Sequence, residues 1–169
     1  GLPPGTLSSQ FLANVYLDAL DQFVKHELGA KRYLRYVDDF VLFHHDRAQL
    51  VEWLHRIERF LAEKLDLRLK DDVQLRPLTD GLDFLGYVIF PTHKLVRRRV
   101  VSHLREALND WQSRHVRGRA MRGTPADFER IRAVLASYRG HFGHAHSHRL
   151  QCQLRQQFPW IATAAKPRR

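Results

Sequence analysis

The chain has 169 residues, of which 44% are hydrophobic, and this allows one modest packed domain or one domain with a small addition. That composition excludes wholesale disorder, and no apolar run approaches the roughly 20 residues of a membrane span. The single cysteine, Cys152, excludes an internal disulfide framework and is typical of a reducing compartment, so we expect a cytoplasmic protein. Because the chain begins with Gly1 and not with methionine, we also expect a fragment of a longer protein.

The formal net charge of +10 is distributed unevenly along the chain. Residues 1–90 hold 11 Lys and Arg and 14 Asp and Glu, a net charge of −3, whereas residues 91–169 hold 17 and 4, a net charge of +13. A half this basic attracts phosphate backbones, mainly through counterion release. The alternative is a basic surface that only keeps the protein in solution. The charge pattern favours nucleic-acid contact.

The first predicted elements are a helix, a hairpin and a second helix. A Gly/Pro turn precedes a helix whose apolar residues recur at helical spacing and which ends near Gly29. An antiparallel hairpin follows over about residues 32–44, and Asp46 begins a second helix whose apolar stripe continues to Leu65. Short strands are predicted next, from apolar residues that alternate with polar ones: Leu67, Leu69, Val73 and Leu75.

The later elements are two strands and a helical remainder. A continuous strand over Phe84–Phe90 and a returning antiparallel strand within Leu95–Arg99 are predicted. The helical part contains a basic loop at Gly118–Gly123 and three helices: Val101–His115, one opened by Thr124 and Pro125, and Ser147–Gln157. This order predicts an α+β fold in which helices cover one face of an antiparallel sheet.

Two adjacent carboxylates, Asp38 and Asp39, stand at the turn of the first predicted hairpin between apolar, β-prone runs. We expect these flanks to bury the pair in part, and buried charges that lack a partner are costly and repel each other. A divalent cation that prefers hard oxygen ligands, Mg²⁺ or Mn²⁺, relieves both costs. The pair therefore predicts metal-dependent phosphoryl or nucleotidyl transfer, with Asp38 the better direct ligand. The alternative is a solvated pair at a turn.

Four segments, in this order, make the chain similar to reverse transcriptases. They are Gly5–Leu17, which resembles the template- and nucleotide-contacting palm segment; Tyr36–Asp39, which resembles the YxDD motif; Phe84–Tyr87, which resembles the primer-grip hairpin; and Ser137–Ala145, which resembles a thumb segment of bacterial relatives. The resemblance implies an RNA-directed DNA polymerase of bacterial or phage origin that uses an RNA template, a DNA primer, deoxynucleoside triphosphates and Mg²⁺ or Mn²⁺. It also implies a partial palm in residues 1–99 and a basic helical thumb in residues 100–169.

The resemblance also implies a subtype and a missing part. The Gly-x-x-x-Ser-Gln pattern that starts at Gly5 resembles the enzymes of diversity-generating retroelements, which copy a template RNA with errors at adenines. Group II intron enzymes usually begin this segment with Gln-Gly and end it with Ser-Pro, so the subtype stays open. Family members carry another metal-binding aspartate, an aromatic gate and the fingers upstream of these segments. We therefore expect the chain to be the C-terminal half of a palm plus a thumb, with the upstream portion as its partner.

Individual roles follow from the same resemblance. The implied assignments are metal binding and catalysis by Asp38 and Asp39, nucleotide or template contact by Gly5, Ser9, Gln10 and Lys70, and primer binding by Gly86 and Tyr87. The simpler alternatives are an ordinary helix start for the first group, a solvated charge for Lys70 and strand packing for Gly86 and Tyr87.

Two arginine clusters suit backbone contacts with a template–primer duplex, without base reading. Their members are Arg97, Arg98, Arg99, Arg114, Arg117, Arg119 and Arg122. Four histidines, His141, His144, His146 and His148, raise a zinc site as an alternative, although the first two belong to the segment similar to a thumb. Cys152, Trp53 and Trp111 are expected in the core because they fall within predicted helices.

Two other functions stay open. The first is a non-catalytic RNA- or DNA-binding module, inactive because the upstream metal-binding aspartate and the fingers are absent. The second is a protein-interaction remnant of a decayed element.

Overall fold

The computed structural model describes residues 7–118 and 120–164, with side chains from residue 9 onward. The described residues form a mixed structure of helices and small antiparallel sheets, which confirms the α+β fold class. The chain divides into two compact units, Gly1–Leu75 and Arg76–Arg169. This division differs from the boundary expected between residues 99 and 100, because the second group of strands is compact with the helices that follow it. The assignment of palm and thumb stays a prediction.

The first unit begins with helix α1, Leu7–Gln22, which continues as a short π-helical segment, Phe23–Glu27. The segment ends where Gly29 adopts a left-handed conformation with φ of 66°, and the amide of Ala30 donates to the carbonyl of Val24 at 3.1 Å. A residue without Cβ takes this conformation at little cost, so the predicted helix end is confirmed.

The predicted acidic hairpin is also present in the first unit. It consists of β1, Tyr33–Tyr36, paired antiparallel with β2, Asp39–Leu42. Helix α2, Arg47–Lys64, follows, and the carboxylate of Asp46 accepts a hydrogen bond from the amide of Ala48 at 2.8 Å, as the predicted cap requires.

The core of the first unit lies between these helices and one face of the hairpin. Its most buried residues include Leu20, Val24, Ile57 and Leu61. Trp53 is buried with them, as predicted from its place on the helical stripe. On the hairpin, alternate residues divide between two faces, since Tyr33, Phe40 and Leu42 pack on this core whereas Leu34 and Tyr36 are exposed.

The short strands predicted from Leu67, Leu69, Val73 and Leu75 are absent from the described structure, where residues 66–75 are irregular. The amide of Leu67 instead donates to the carbonyl of Leu61 and closes the end of α2. Alternating apolar residues form a strand only where a partner edge accepts their backbone hydrogen bonds, and here Val73 is exposed.

The second unit begins with a three-stranded antiparallel sheet in the order β3, Leu82–Phe84, β4, Tyr87–Ile89, and β5, Lys94–Val96. The continuous strand predicted over residues 84–90 is therefore wrong, because Leu85 and Gly86 form a two-residue turn. A hairpin is present at the segment that resembles the primer grip, and its role in primer binding stays a prediction. The returning strand ends at Val96, two residues before the first helix of this unit.

Helices make up most of the remainder. They are α3, Arg98–His115; α4, Pro125–Gly143; α5, His148–Gln157; and α6, Ile161–Ala164. The loop predicted at residues 118–123 contains part of a short hairpin, β6, Val116–Arg117, and β7, Ala120–Met121. The described strands thus form three small sheets, where the sequence predicted one.

The start of α4 follows the prediction closely. Thr124 and Asp127 form a reciprocal capping box, and Pro125 occupies the first helical position. Trp111 is buried in the core of this unit, as expected, with Leu108, Ile131 and Phe158.

Cys152 was expected in the core and is exposed. The buried residue of α5 is Leu154. Two positions correspond to about 200° around a helix, so Cys152 and Leu154 lie on nearly opposite faces.

Candidate functional site

The two aspartates stand at the tip of the first hairpin. Tyr36 and Asp39 are paired across the strands, so Val37 and Asp38 form a two-residue turn between them. Val37 has φ of 55°, which lies in the left-handed region. A β-branched residue there is a clear outlier, because such hairpin turns favour glycine at this position. The turn therefore stores backbone strain immediately before Asp38.

Both carboxylates are exposed, which corrects the expectation that apolar flanks would bury them. The flanking residues point to either face of the strands, whereas the turn itself projects beyond the core. Nζ of Lys70 lies 3.5 Å from Oδ2 of Asp38, with the two side chains 73% and 69% exposed. Water screens a pair this exposed, so it contributes little to stability. The structure thus brings Lys70 and Asp38 together, and the roles assigned to them stay predictions.

A covered polar network lies behind the exposed turn. Arg35, whose side chain is only 10% exposed, donates from Nε to Oδ1 of Asp21 at 2.8 Å and from Nη2 to Oδ2 at 2.7 Å. Its Nη1 donates to Oδ1 of Asn14 at 2.9 Å and to the carbonyl oxygen of Val37 at 2.7 Å. The hydroxyl of Tyr33 donates to Asp21 at 2.7 Å. The network connects the turn at Val37 and Asp38, called the acid turn below, to α1.

The charges in this network support each other. Hydrogen bonds from Arg35 are the main reason why the pKa of Asp21 lies below its usual value, although burial opposes the shift. The pKa of Arg35 is raised in turn, mainly by its hydrogen bonds to Asp21. Burial, followed by the hydrogen bond to Asp21, raises the pKa of Tyr33 well above its usual range. The aspartate and the arginine therefore stay charged, and the phenol stays protonated, at neutral pH.

Sequence reasoning did not identify Arg35, Asp21 or Asn14 as functional residues. One signal was available, because Tyr33 and Arg35 alternate with Leu34 and Tyr36, which puts the arginine on the core-facing side of the strand. A charged residue on that side needs a partner.

The carboxylates are suitable in chemistry for part of a metal site. Two adjacent carboxylates supply hard oxygen ligands of the kind that Mg²⁺ and Mn²⁺ prefer. Within residues 7–118 and 120–164, however, no group of three histidine, cysteine or carboxylate side chains is close enough to hold a metal ion. Asp38 and Asp39 are thus an incomplete ligand set in this part of the chain.

The structure describes two of the three N-terminal residues to which nucleotide or template contact was assigned. Gly5 lies outside the described residues. Ser9 and Gln10 lie in the first turns of α1, and Gln10 is exposed. Residues four apart share one helix face, so Gln10 is on the face of Asn14, which accepts a hydrogen bond from Arg35. This places Gln10 on the side of α1 that faces the acid hairpin.

The second hairpin, which carries the assigned primer-binding residues, is fastened to α4. Leu85 and Gly86 both have positive φ, of 49° and 82°. The ring of Tyr87 stacks on that of His141 with centroids 4.3 Å apart, and its hydroxyl donates to the carbonyl of His141 at 2.9 Å. The phenol of Tyr87 therefore makes its contacts within its own unit, whereas Leu85 in the turn is 43% exposed.

The assigned arginines divide into two groups in the second unit. Arg98 and Arg99 are exposed in the first turn of α3, and Nη2 of Arg97 lies 3.5 Å from Oδ2 of Asp83. Arg114, Arg117 and Arg122 lie at the other end of α3 and around the short hairpin, whereas Arg119 falls outside the described residues.

Two arginines of this second group make hydrogen bonds to nearby residues. Nη2 of Arg114 donates to Asp110 at 2.6 Å, and Nη1 of Arg117 donates to the carbonyl of Ser113 at 2.7 Å.

The two compact units differ in net charge. Residues 1–75 hold 10 Lys and Arg against 12 Asp and Glu, a net charge of −2, whereas residues 76–169 hold 18 against 6, a net charge of +12. The positive charge of the chain is thus concentrated in the second compact unit.

The chain matches no protein-family model and no curated protein sequence. In the part of the chain that the structure describes, no helix is both long and apolar enough to cross a membrane.

Proposed function

We propose that this chain is part of an RNA-directed DNA polymerase, a reverse transcriptase that transfers nucleotides by a two-metal reaction. The observation that carries the proposal is the acid turn: two exposed carboxylates at a strained hairpin, held from behind by a covered arginine network and approached by Lys70. Strain of this kind persists only where the surroundings enforce it, and it is concentrated at functional sites. The order of the other segments similar to reverse transcriptases supports the same assignment.

The residues have distinct tasks in this reaction. Asp38 and Asp39 would hold Mg²⁺ or Mn²⁺, and a bound ion would lower the pKa of the primer 3′-hydroxyl and offset the negative charge of the triphosphate. The primer 3′-hydroxyl would lose its proton to water, and its oxygen would form a bond to the α-phosphorus of a deoxynucleoside triphosphate as the bond to pyrophosphate breaks. The ammonium group of Lys70, beside Asp38, offsets charge on the triphosphate or on the departing pyrophosphate. Gly5, Ser9 and Gln10 contact the incoming nucleotide and the template.

The second unit would bind the template–primer duplex through its phosphates. The arginines at the start of α3 support this role, because positive charge at a helix N-terminus opposes the helix dipole and would be offset by a bound phosphate. The exposed turn at Leu85 and Gly86 would contact the primer strand. RNA template and DNA primer are the partners expected for such a surface.

A second candidate function is a non-catalytic RNA- or DNA-binding module. The incomplete ligand set among the described residues favours it. It requires the basic second unit and no chemistry at Asp38. The two functions differ in whether removal of the negative charge of Asp38 abolishes synthesis or leaves every activity unchanged.

The test is primer extension on an RNA template with the full natural protein that carries this chain. Asp38→Asn should lower nucleotide addition by about 10³-fold or more, since metal stabilisation of developing charge is worth several kcal/mol and each 1.36 kcal/mol is tenfold. Binding of the template–primer duplex should stay strong and should still weaken with rising salt.

The matched control is Glu63→Gln, which removes one negative charge from an exposed position on α2. It should leave synthesis unchanged. Wild-type synthesis by Asp38→Asn would overturn the assignment of the catalytic site to Asp38, and salt-dependent binding with no synthesis by the unmutated protein would favour the binding module.

A further inference from the structure

The backbone of the acid turn is strained, and the turn residues themselves do not offset that strain. Val37 occupies the left-handed region, where a β-branched residue is disfavoured and the backbone is strained. Among the described residues, the hairpin forms a sheet of two strands. A turn in so small a sheet needs an additional contact to keep one conformation.

Arg35 supplies that contact. The carboxylate of Asp21 binds Nε and Nη2 of Arg35 in a bidentate pair, which fixes the plane of the guanidinium. The third nitrogen, Nη1, is consequently fixed in position, and from there it donates to the carbonyl oxygen of Val37 at 2.7 Å. The oxygen of Asn14 accepts from the same nitrogen at 2.9 Å.

The carbonyl that Arg35 holds belongs to the peptide bond between Val37 and Asp38. Because that peptide unit is planar, fixing its oxygen also fixes the direction of the Asp38 amide and restricts the starting direction of the Asp38 side chain. A hydrogen bond to a charged donor in a covered site is stronger than one between neutral groups, so this bond can offset the backbone strain at Val37.

We propose that Arg35 is a positioning residue that sets the orientation of Asp38 through the Val37 carbonyl, with Asp21 and Asn14 as its supports. What Asp38 does when so oriented rests on the proposed function. The conformation of the turn does not, and it can be measured in a protein without activity.

A purely structural role for Arg35 would be to fasten the hairpin to α1 through Asp21. The two roles use different nitrogens, so they can be separated. Arg35→Lys keeps a positive charge that can pair with Asp21, but a single ammonium group cannot reach Asp21 and Val37 with the geometry of the planar fork. Tyr33→Phe removes a different hydrogen bond to Asp21 and leaves the Val37 contact in place, which makes it the matched control.

The first measurement is the backbone conformation of the turn. In the wild-type protein and in Tyr33→Phe, the ¹³Cα and ¹³Cβ chemical shifts of Val37 should report a left-handed residue, whereas in Arg35→Lys they should move towards the values of an extended or averaged residue. Left-handed shifts in a folded Arg35→Lys protein would overturn the inference.

The second measurement is kinetic and uses the full natural protein. Arg35→Lys should lower kcat for nucleotide addition by about 10- to 100-fold, the size expected when a catalytic group is misplaced by around 1 Å, with KM for the nucleotide changed less than twofold. Mn²⁺ should bind severalfold more weakly, as measured by the paramagnetic signal of the free ion. Tyr33→Phe should stay within twofold of wild type in all three quantities.

The outcomes separate this inference from the proposed function. If Asp38→Asn abolishes synthesis and Arg35→Lys keeps both the wild-type rate and Mn²⁺ affinity, the inference is wrong and the polymerase assignment stands. If neither variant affects synthesis while Val37 loses its left-handed shifts in Arg35→Lys, the turn is held as we infer and the catalytic role proposed for Asp38 is wrong. Should Arg35→Lys fail to fold, Asn14→Ala tests the same nitrogen from its other acceptor and should move the Val37 shifts in the same direction.

Discussion

The two predicted site hairpins have turns of the same length but are held in different ways. In the first, Val37 alone has positive φ among the two turn residues, and the charged side chain of Arg35 holds its carbonyl. In the second, Leu85 and Gly86 both have positive φ, and the carbonyl of Gly86 accepts a hydrogen bond from the backbone amide of Arg97 at 2.9 Å. One turn thus depends on a side-chain network and the other on a third strand and on packing.

This difference separates a turn that carries reactive groups from one that presents its backbone. A network of side chains can fix a single peptide unit without covering the turn, so that Asp38 and Asp39 stay exposed to ligands. Packing fixes the second turn by close approach, since a Cβ added to Gly86 would lie 3.1 Å from Cε1 of His141. The first turn should therefore respond to loss of charge, and the second to added volume.

The largest effect in this comparison is expected from Gly86→Ala. Left-handed backbone costs an L-residue about 1–2 kcal/mol, and the added methyl group must also displace the His141 ring. We expect the free energy of unfolding of the second unit to fall by about 2–3 kcal/mol when these costs combine. Chemical denaturation followed by tryptophan fluorescence measures the change.

Two other glycines separate the contributions. Gly118 has φ of 61°, but a methyl group added there would meet no atom within 4 Å, so Gly118→Ala should show the backbone cost alone. Gly140 lies within α4 with open space around it, and Gly140→Ala should stabilise the unit by about 0.5–1 kcal/mol. Equal effects of Gly86→Ala and Gly118→Ala would show that the His141 contact does not matter.

A smaller effect is expected from Val37→Gly in the first turn. Relief of strain at φ of 55° favours the variant, whereas the greater freedom of glycine in the unfolded chain opposes it by about 0.5–1 kcal/mol. The net change in unfolding free energy should therefore be small, about 1 kcal/mol or less. The informative quantity is the coupling with Arg35.

Coupling is measured by a double-mutant cycle of Val37→Gly and Arg35→Lys. If Arg35 offsets the strain of Val37, Arg35→Lys should lower the free energy of unfolding less in the Val37→Gly protein than in the wild-type protein. The expected difference is about 0.5 kcal/mol or more. Strict additivity of the two changes would contradict this account of the first turn.

Features of the two hairpin regions were predictable from the sequence where the interacting residues lie close together along the chain. The caps at Asp46 and at Thr124 were predictable because each is formed by residues two or three positions apart. The strands predicted around Leu67 and Val73 were wrong because a strand depends on a partner that local alternation does not reveal. The turn at Leu85 and Gly86 was hidden within an apolar run that is typical of one strand.

The site shows the same limit more sharply. The motif identified Asp38 and Asp39, and the resemblance suggested Lys70, which the structure places beside Asp38. The supports of the turn were not predicted, since Arg35 binds Asp21 and Asn14 across 14 and 21 positions of the chain. The exposure of the aspartates was also missed, because apolar neighbours in sequence do not bury a residue that projects at a turn.

The smallest expected effect is a loss of stability of the first hairpin at low pH, which the second hairpin should not show. The pKa of Asp21 is lowered in the folded protein, mainly by its hydrogen bonds with Arg35. A carboxyl group of this kind stabilises the fold fully above its unfolded pKa of 3.8, and that contribution is lost as the pH falls through the lower folded value. Arg35 keeps its charge throughout, so protonation of Asp21 leaves it without its bidentate partner.

We therefore expect the amide protons of the first hairpin to exchange faster as the pH is lowered from about 5 towards about 3. The exchange rates are corrected for intrinsic rates and compared with those of β3 and β4. Asp21→Asn removes the titrating group and should make this relative change disappear, whereas Glu63→Gln, on an exposed part of α2, should leave it unchanged. If the wild-type protein and Asp21→Asn respond to acid in the same way, the support of the first turn does not depend on the Asp21 carboxylate, and the charge-based distinction between the two hairpins fails.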